Sequence, residues 1–334
     1  MAAYLIRRLL LTIPILLGIS LIVFLMLHTA GGDPAVLKLG QNATPENVAR
    51  LRHEMGLDRP LAVQYLDFLW HAIQGDLGRS YRSNAPVLDD IVTRFPATVE
   101  LAVAAMLIAL VIGFTAGTIA GTRKHSFFDY SSTFVALLGV SIPTFWLGLI
   151  FIIVFGVWLR WLPLSGRVDP RLGVDPSSNF VVLEALIRGN WTVFKDALEH
   201  LILPAVTLAG WPAAIVARMT RASLIEVLGQ EYIRTARAKG LSERMIVWRH
   251  AYRNALIPVI TVIGLEFGAL LGGAVVTETV FAWPGIGRRS VEAILQRDYQ
   301  VVQGIVLLLG VIFVALNLLT DLIYALLDPR IRYR

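Results

Sequence analysis

Six apolar runs, each about as long as the hydrocarbon core of a bilayer is thick, limit what this chain can become. They cover residues 9–27, 101–121, 133–157, 201–219, 257–281 and 302–327. A soluble core has no use for repeated windows of ~20 apolar residues. Composition agrees: 56% of the 334 residues are hydrophobic and 16% are charged, whereas about a quarter are charged in a soluble domain. Mean hydropathy is +0.66. The expected fold class is an all-α polytopic membrane protein with six transmembrane helices, one transmembrane domain spanning 1–334. The lack of cysteine excludes disulfides, thiolate chemistry and Cys-based metal sites. The net charge of +6 is compatible with nucleic acid. Because the basic residues flank the apolar runs, membrane topology explains them and no nucleic-acid partner is expected.

The first run has a signal peptide as its alternative. Arg7 and Arg8 precede it, and the small residues Ala30 and Gly31 follow. Its ~19 apolar residues exceed the about 7–15 usual for a signal, so a retained helix is expected. Charge bias then sets orientation. Arg7 and Arg8, Arg123 and Lys124, the basic cluster from Arg218 to Arg253, and Arg330, Arg332 and Arg334 fall on one side with few acids. The positive-inside rule makes that side, with both termini, cytoplasmic. Two long polar segments face the other way. The first, 29–98, carries Thr44 as a candidate N-cap with Pro45 at N1. A second helix is expected after Pro60, where Leu61, Tyr65, Leu69 and Ile73 are helically spaced. In the second segment, 158–198, Pro163, Pro170 and Pro176 argue against a long helix.

Between the fourth and fifth runs lies a basic island, 231–258. Leu224, Val227, Leu228, Tyr232 and Ala236 fall on one helical face, with Glu226, Arg234 and Arg237 elsewhere on the wheel. Gly240 permits a sharp turn that a side chain would resist. Ser242 is placed to cap a second short helix, with Glu243 favourable at its positive end. There Met245, Trp248 and Tyr252 form a stripe, and Arg249 and Arg253 stand one turn apart. The expected shape is a helix–glycine–helix elbow with an apolar ridge and a basic rim. Such an elbow suits a groove on another protein or a surface of anionic lipid. The break at Gly240 favours the protein, because a helix lying on lipid gains nothing from it.

These residues resemble the EAA loop of ABC importer permeases, in which a short cytoplasmic coupling helix docks in a cleft of the ATPase subunit. Ala236 and Gly240 occupy the positions of the motif's second alanine and its glycine. Arg234 stands where the generic motif has Glu, and Arg253 where it has proline. In both departures the segments 231–241 and 249–258 resemble the form found in peptide and nickel importer permeases. The resemblance runs nearly end to end. It includes Gly32-Asp33-Pro34, Gly56-Leu57-Asp58-Arg59-Pro60, Gly75-Asp76-Leu77-Gly78, Ser141-Ile142-Pro143-Thr144-Phe145-Trp146, the stretch from Thr277 to Gly287, Arg297-Asp298-Tyr299 and Asp328-Pro329-Arg330. The long first external segment is similar to that of B-type subunits, and within the group of dipeptide, oligopeptide, glutathione and nickel importers the chain most resembles dipeptide permeases.

The resemblance implies a type I ABC importer permease fold in a bacterial inner membrane, with 29–98 as a periplasmic insertion and 224–256 as the cytoplasmic coupling loop. It implies a heterodimer with a second homologous permease, two cytoplasmic ABC ATPases that bind ATP and Mg, an external substrate-binding protein, and a peptide substrate; membrane lipid surrounds the whole. Glu231, Arg234, Ala236, Ala238, Gly240, Leu241, Arg249 and Arg253 become the ATPase-coupling candidates. Glu278 and Trp283 become candidates for an external gate, with a rigid turn as the alternative.

Other residues are read on their own terms. Glu266, inside the fifth run, either lines a cavity or hydrogen-bonds a neighbouring subunit. Asp321 reads as interfacial snorkelling or a helix-tail ion pair. The spacing of Gly113, Gly117 and Gly121, and of Gly264, Gly268 and Gly272, reads as close helix packing, with conduit lining the alternative for the second set. Pro143 is expected to kink the third run. The six histidines form no dense ligand cluster, so no metal site is expected. No Gly-x-x-x-x-Gly-Lys-Ser/Thr loop is present to cradle a nucleotide phosphate, so this chain is not expected to be an enzyme or to bind a cofactor itself. A non-transporting membrane scaffold or receptor is the alternative from another class.

Overall fold

In hydrocarbon a backbone must satisfy its own hydrogen bonds, and each apolar run of this chain is helical accordingly. The computed structural model describes residues 2–30, 33–175 and 180–327. Gly31, Gly32, Pro176, the 328–330 run, Arg332 and Arg334 lie outside the described residues, as do the side chains of Arg7, Arg8 and Asp321. Helix α1 (Ala2–Ala30) is followed by α2 (Pro34–Leu39), α3 (Pro45–Glu54) and α4 (Leu61–Ile73). Then α5 (Val87–Thr122) turns tightly into α6 (Phe127–Ser141) and α7 (Thr144–Phe151), which a π-helical stretch extends to Trp158. A loop and α8 (Val181–Ile187) lead to α9 (Trp191–Leu228). The elbow holds α10 (Glu231–Ala238) and α11 (Glu243–Met245). Next come α12 (Tyr252–Gly273), α13 (Val275–Val280), α14 (Ile286–Leu295) and α15 (Tyr299–Leu327).

Four of these helices are long and apolar enough to cross a membrane by themselves, within 87–122, 191–228, 243–272 and 299–319. The α6–α7 pair makes a fifth span, bent by 101°. Helix α1, 29 residues long with an apolar stretch Leu11–Met26, completes the six. Helices α5 and α9 run to 36 and 38 residues. At 1.5 Å per residue they outreach a core ~30 Å thick, so their polar ends project beyond the apolar runs.

Several local expectations hold. Thr44 caps α3, accepting from the Asn47 amide at 3.3 Å, and Pro45 opens the helix. Helix α4 follows Pro60. No long helix crosses the prolines of the described part of 158–198, although α8 and the start of α9 occupy its end. Pro143 does more than kink its span. Ile142 before it is extended, at φ −83° and ψ 124°, and the helix stops and restarts in a new direction. The fifth span ends at Gly273, and residues 275–280 form the separate helix α13.

Helices α5 and α9 lie parallel and touch backbone to backbone. A Cβ on Gly113 would sit 2.9 Å from the Ala213 carbonyl oxygen, one on Gly117 2.5 Å from that of Ala217, and one on Gly121 3.0 Å from Leu224 Cβ. Small residues permit that approach. In the second glycine set, Gly268 meets the Phe313 ring at an ordinary 3.5 Å and Gly272 has open space beside it, so neither makes a close helix contact within this subunit. Helix α12 runs back against this pair. The Thr118 and Tyr252 hydroxyls hydrogen-bond at one end, and Ala274 joins the Ala97–Leu101 core at the other. Helix α15 starts beside Val87 and Ile91, which pack on Gly304, and α1 packs on it farther along through Leu16 and Ile19 against Gly310. The bundle thus has two distinct ends. One holds the 123–126 turn and the elbow; the other holds the long segments between the spans.

Replacing Gly117 by Val should force the α5–α9 seam apart at a cost of about 1–3 kcal/mol, whereas Gly272→Ala should be nearly neutral. Thermal unfolding of both variants in detergent checks this; equal midpoints would remove the close-contact argument.

Candidate functional site

The elbow is an exposed turn mounted on a buried seat. Helix α9 stops at Leu228, and Gln230 is extended at φ −74° and ψ 150°, so the chain redirects before α10 begins. Leu224, Val227 and Leu228 therefore do not share a helix with Tyr232 and Ala236 as expected. They meet in space instead. Leu224, Ile233, Ala236, Ile246, Val247 and Ala251 form one core cluster, with Leu241 packed against it. Tyr232 lies outside it, exposed, its hydroxyl accepting from the Asn254 amide at 2.8 Å. Gly240 takes φ +79°, and a Cβ there would meet nothing. Its requirement is thus conformational, because a side chain at that φ clashes with its own backbone. Ser242 caps the next turn, accepting from the Met245 amide at 3.4 Å. That turn does not remain a short helix. It continues through a π-helical stretch at Ile246–Ala251 into α12, so the elbow's second arm is the start of the fifth span.

Charge decorates this seat without entering it. Arg234 pairs with Glu231 at 2.7 Å on the same helix. Arg237 forms a two-bond clasp with Glu243 across the turn, at 2.7 and 3.2 Å, and that hydrogen bonding raises the Arg237 pKa. Arg249, Arg253, Lys239 and Arg244 are exposed. Trp248 stacks on Tyr252 with ring centroids 4.8 Å apart and remains 62% exposed. Beside the elbow Asp129, buried at the start of α6, holds Arg221 of α9 at 2.5 and 3.0 Å and fixes the 123–126 turn to α9.

At the opposite end two buried carboxylates organise a corner. Glu278, fully buried, accepts from Thr98 Oγ1 at 2.7 Å and from the Arg288 amide at 2.9 Å, and also takes the Gly287 amide. Those amides open α14, so the carboxylate caps its positive end. Thr98 in turn accepts from the Ile286 amide at 2.9 Å. A Cβ on Gly285 would collide with the Glu278 carboxylate. Trp283 is fully buried and donates to the Ala97 carbonyl at 2.8 Å. The guanidinium of Arg167 lies 5.8 Å from its ring and pairs with Glu100 at 2.6 Å. Burial pulls the Arg167 pKa down and Glu100 opposes it.

Comparison with known proteins shows the family of the whole chain. Residues 113–333 match the family model described as the binding-protein-dependent transport system inner membrane component, and residues 1–102 match its N-terminal companion. The chain belongs to this family. It is an ABC importer permease. The permease is 46% identical over the full length of both chains to the dipeptide transport system permease DppB of Alkalihalophilus pseudofirmus, and 45% to that of Escherichia coli. It is also 45% identical over both full lengths to the di/tripeptide transport system permease of Pseudomonas aeruginosa. The MetNI methionine ABC transporter, in an inward-facing form, shares the fold: TM-score 0.52, 18% identity, 70% of this chain and 93% of the other.

The permease places Glu231, Arg234, Ala236, Ala238, Gly240, Leu241, Arg249 and Arg253 together at the elbow, with Ala236 in the seat and the rest on or beside its exposed face. Glu278 and Trp283 share the far corner, both buried. Glu266 stands apart on α12, with the Trp211 side chain as its hydrogen-bonding neighbour. No group of three or more His, Asp or Glu among the described residues is arranged to hold a metal ion. Sequence reasoning missed Thr98, Glu100 and Arg167. Glu100, a carboxylate at the edge of an apolar run, carried a readable signal; Arg167, 67 residues away, did not.

Thr98→Val should leave Glu278 and the Ile286 amide each one partner short, at about 1–3 kcal/mol for an unsatisfied buried group. Thr98→Ser should stay near wild type. Unfolding midpoints of the two variants in detergent decide the matter, and a stable Val variant would contradict the corner's wiring.

Proposed function

We propose that this permease carries dipeptides or other short peptides inward across the cytoplasmic membrane, and that the elbow is where ATPase subunits drive it. A second homologous permease completes the passage. Two cytoplasmic ATPases bind ATP and Mg and dock on 224–256, and an external substrate-binding protein delivers the peptide to the side that carries 29–98. Both termini then face the cytoplasm with the elbow. This subunit performs translocation, and hydrolysis belongs to its partners.

The observation that carries this reading is the construction of the elbow. An exposed glycine-hinged turn sits on a fully buried apolar seat that belongs to the same rigid helices as the bundle. A force on the turn is therefore delivered to α9 and α12 together. The relatives named as dipeptide and di/tripeptide permeases support the peptide as cargo. Glu278 and Trp283 contribute by holding the external corner, and Glu266 faces either the conduit or the second permease. Oligopeptide, glutathione or a nickel chelate as the true cargo is separable by the same assay with those solutes labelled.

In this reading Gly240→Val, a β-branched residue at positive φ, strains the turn by about 1–2 kcal/mol and misplaces the docking face. Uptake of labelled dialanine should fall to near background while the permease still reaches the membrane. Gly240→Asn, which tolerates that backbone, should keep much of the uptake. Wild-type transport by the Val variant would end the coupling assignment.

A further inference from the structure

Helix α4 belongs to the 29–98 segment, yet it does not stand clear of the bundle. It lies against α1, inside the apolar stretch that ends at Met26. Phe24 of α1 meets Tyr65 and Phe68 of α4 with ring centroids 5.4 and 6.4 Å apart. The Tyr65 hydroxyl reaches farther in, donating to the Leu17 carbonyl at 3.0 Å and lying 2.9 Å from the buried Ser20 hydroxyl. A phenol in apolar surroundings has to find such partners, whereas water would supply them at a wet surface. At 1.5 Å per residue, Phe24 stands about 3 Å and Ser20 about 9 Å inside the end of the stretch. An interfacial helix sinks its apolar face by about the same 5–10 Å.

The surface of α4 divides into three arcs. Tyr65 and Phe68 face α1. Asp67 and His71 are exposed, and Gln64 beside them donates to the Leu57 and Arg59 carbonyls at 3.2 and 2.7 Å. The third arc holds Val63, Leu66, Trp70 and Ile73, spaced by three and four residues so that they share one face. They are 43, 63, 64 and 79% exposed. An apolar stripe of that kind in water marks a surface that something covers. At the same level α1 itself exposes Leu21 and Leu25, so the span and the helix lying on it present one kind of surface at one depth. What surrounds a span at that depth is lipid, and a tryptophan in the stripe is the residue such an interface favours.

We propose that α4 is an interfacial helix. Val63, Leu66, Trp70 and Ile73 are immersed among the lipid acyl chains of the leaflet opposite the elbow, and Asp67 and His71 turn to water. The bilayer, together with α1, then holds the segment between the first two spans at a fixed height. This placement does not depend on which solute the permease carries or on what docks at the elbow.

The chain has no cysteine, so an introduced one reports a single position. Leu66→Cys, Ile73→Cys and Asp67→Cys, each in the full chain, are to be labelled with bimane and placed in nanodiscs of phosphatidylethanolamine and phosphatidylglycerol. All three positions are exposed, so the labels need displace no packed side chain. Lipids brominated near the headgroup end of their acyl chains should quench most of the emission at 66 and 73, and iodide in the buffer should leave it. The label at 67 should show the reverse. Iodide quenching at 66 and 73 equal to that at 67 overturns the proposal, since the stripe would then face water. Labels at 66 and 73 that neither quencher reaches overturn it too, since protein from a second copy of the chain would then cover the stripe.

Discussion

The contact between α5 and α9 is the constraint on which the rest of the structure depends. Three glycines remove the side chains that would separate the two backbones, and the helices meet closely along about two turns. In lipid no hydrophobic effect drives helices together, so close van der Waals approach and hydrogen bonds must do so. Both helices overrun the apolar thickness, so each has an end that projects beyond it and carries other contacts. The far end of α5 supplies Thr98 and Glu100 to the corner. The near end of α9 supplies Leu224 to the elbow's seat and Arg221 to the Asp129 clamp. One seam thus sets the geometry at both ends of the bundle.

Charged residues divide into two populations. Those that hold the bundle together are buried or half-buried and paired: Glu100 with Arg167, Asp129 with Arg221, and Asp90 with Arg289 at 2.5 Å. Asp298 belongs with them. It is fully buried, accepts from Ser80 at 2.5 Å and from the Tyr81 amide at 3.0 Å, and so ties the 29–98 segment to the turn before α15. A buried charge without a partner would be costly, so each of these carboxylates has several donors. The elbow's charges are the opposite case. They are exposed, pair only locally or not at all, and contribute little stability. Stability does not account for them, which fits the docking role proposed for the elbow.

The spans and their number were legible because hydropathy reports the one property a bilayer selects. Their lengths were not, because a helix continues past the apolar zone as long as its backbone is satisfied; α5 begins well before the apolar run from residue 101. Thr44, Ser242 and Gly240 were legible because caps and positive φ are local chemistry. The face shared by Leu224 and Ala236 was right in membership except for Tyr232, which lies outside it, and wrong in mechanism: helical periodicity was extrapolated across a break at Gly229–Gln230, and tertiary packing restored the contact. Glu278 and Trp283 were visible by resemblance as gate candidates with a rigid turn as the alternative, but their places as cap and buried anchor depend on Thr98 and Ala97, some 180 residues earlier. No spacing rule reaches that far.

How force would pass from the elbow to the far corner follows from which joints are stiff. The seat welds α10 to the ends of α9 and α12 through fully buried aliphatic contacts, so the elbow cannot move without them. Helix α9 cannot slide on α5 without driving backbone into backbone at Gly117. Helix α12 has more freedom. Its glycines at 268 and 272 face ordinary contact or open space, and it ends at residue 273 in a single-residue joint before α13. Beyond that joint Glu278 grips the start of α14, and Thr98 ties both to α5. A displacement at the elbow would therefore be taken up by rotation of α12 against a fixed α5–α9 pair, with the corner as its far bearing. The 101° break between α6 and α7 lies alongside the same pair, with Gly139 near the Gly210 carbonyl at 3.2 Å. The compliant elements are thus arranged around the rigid seam.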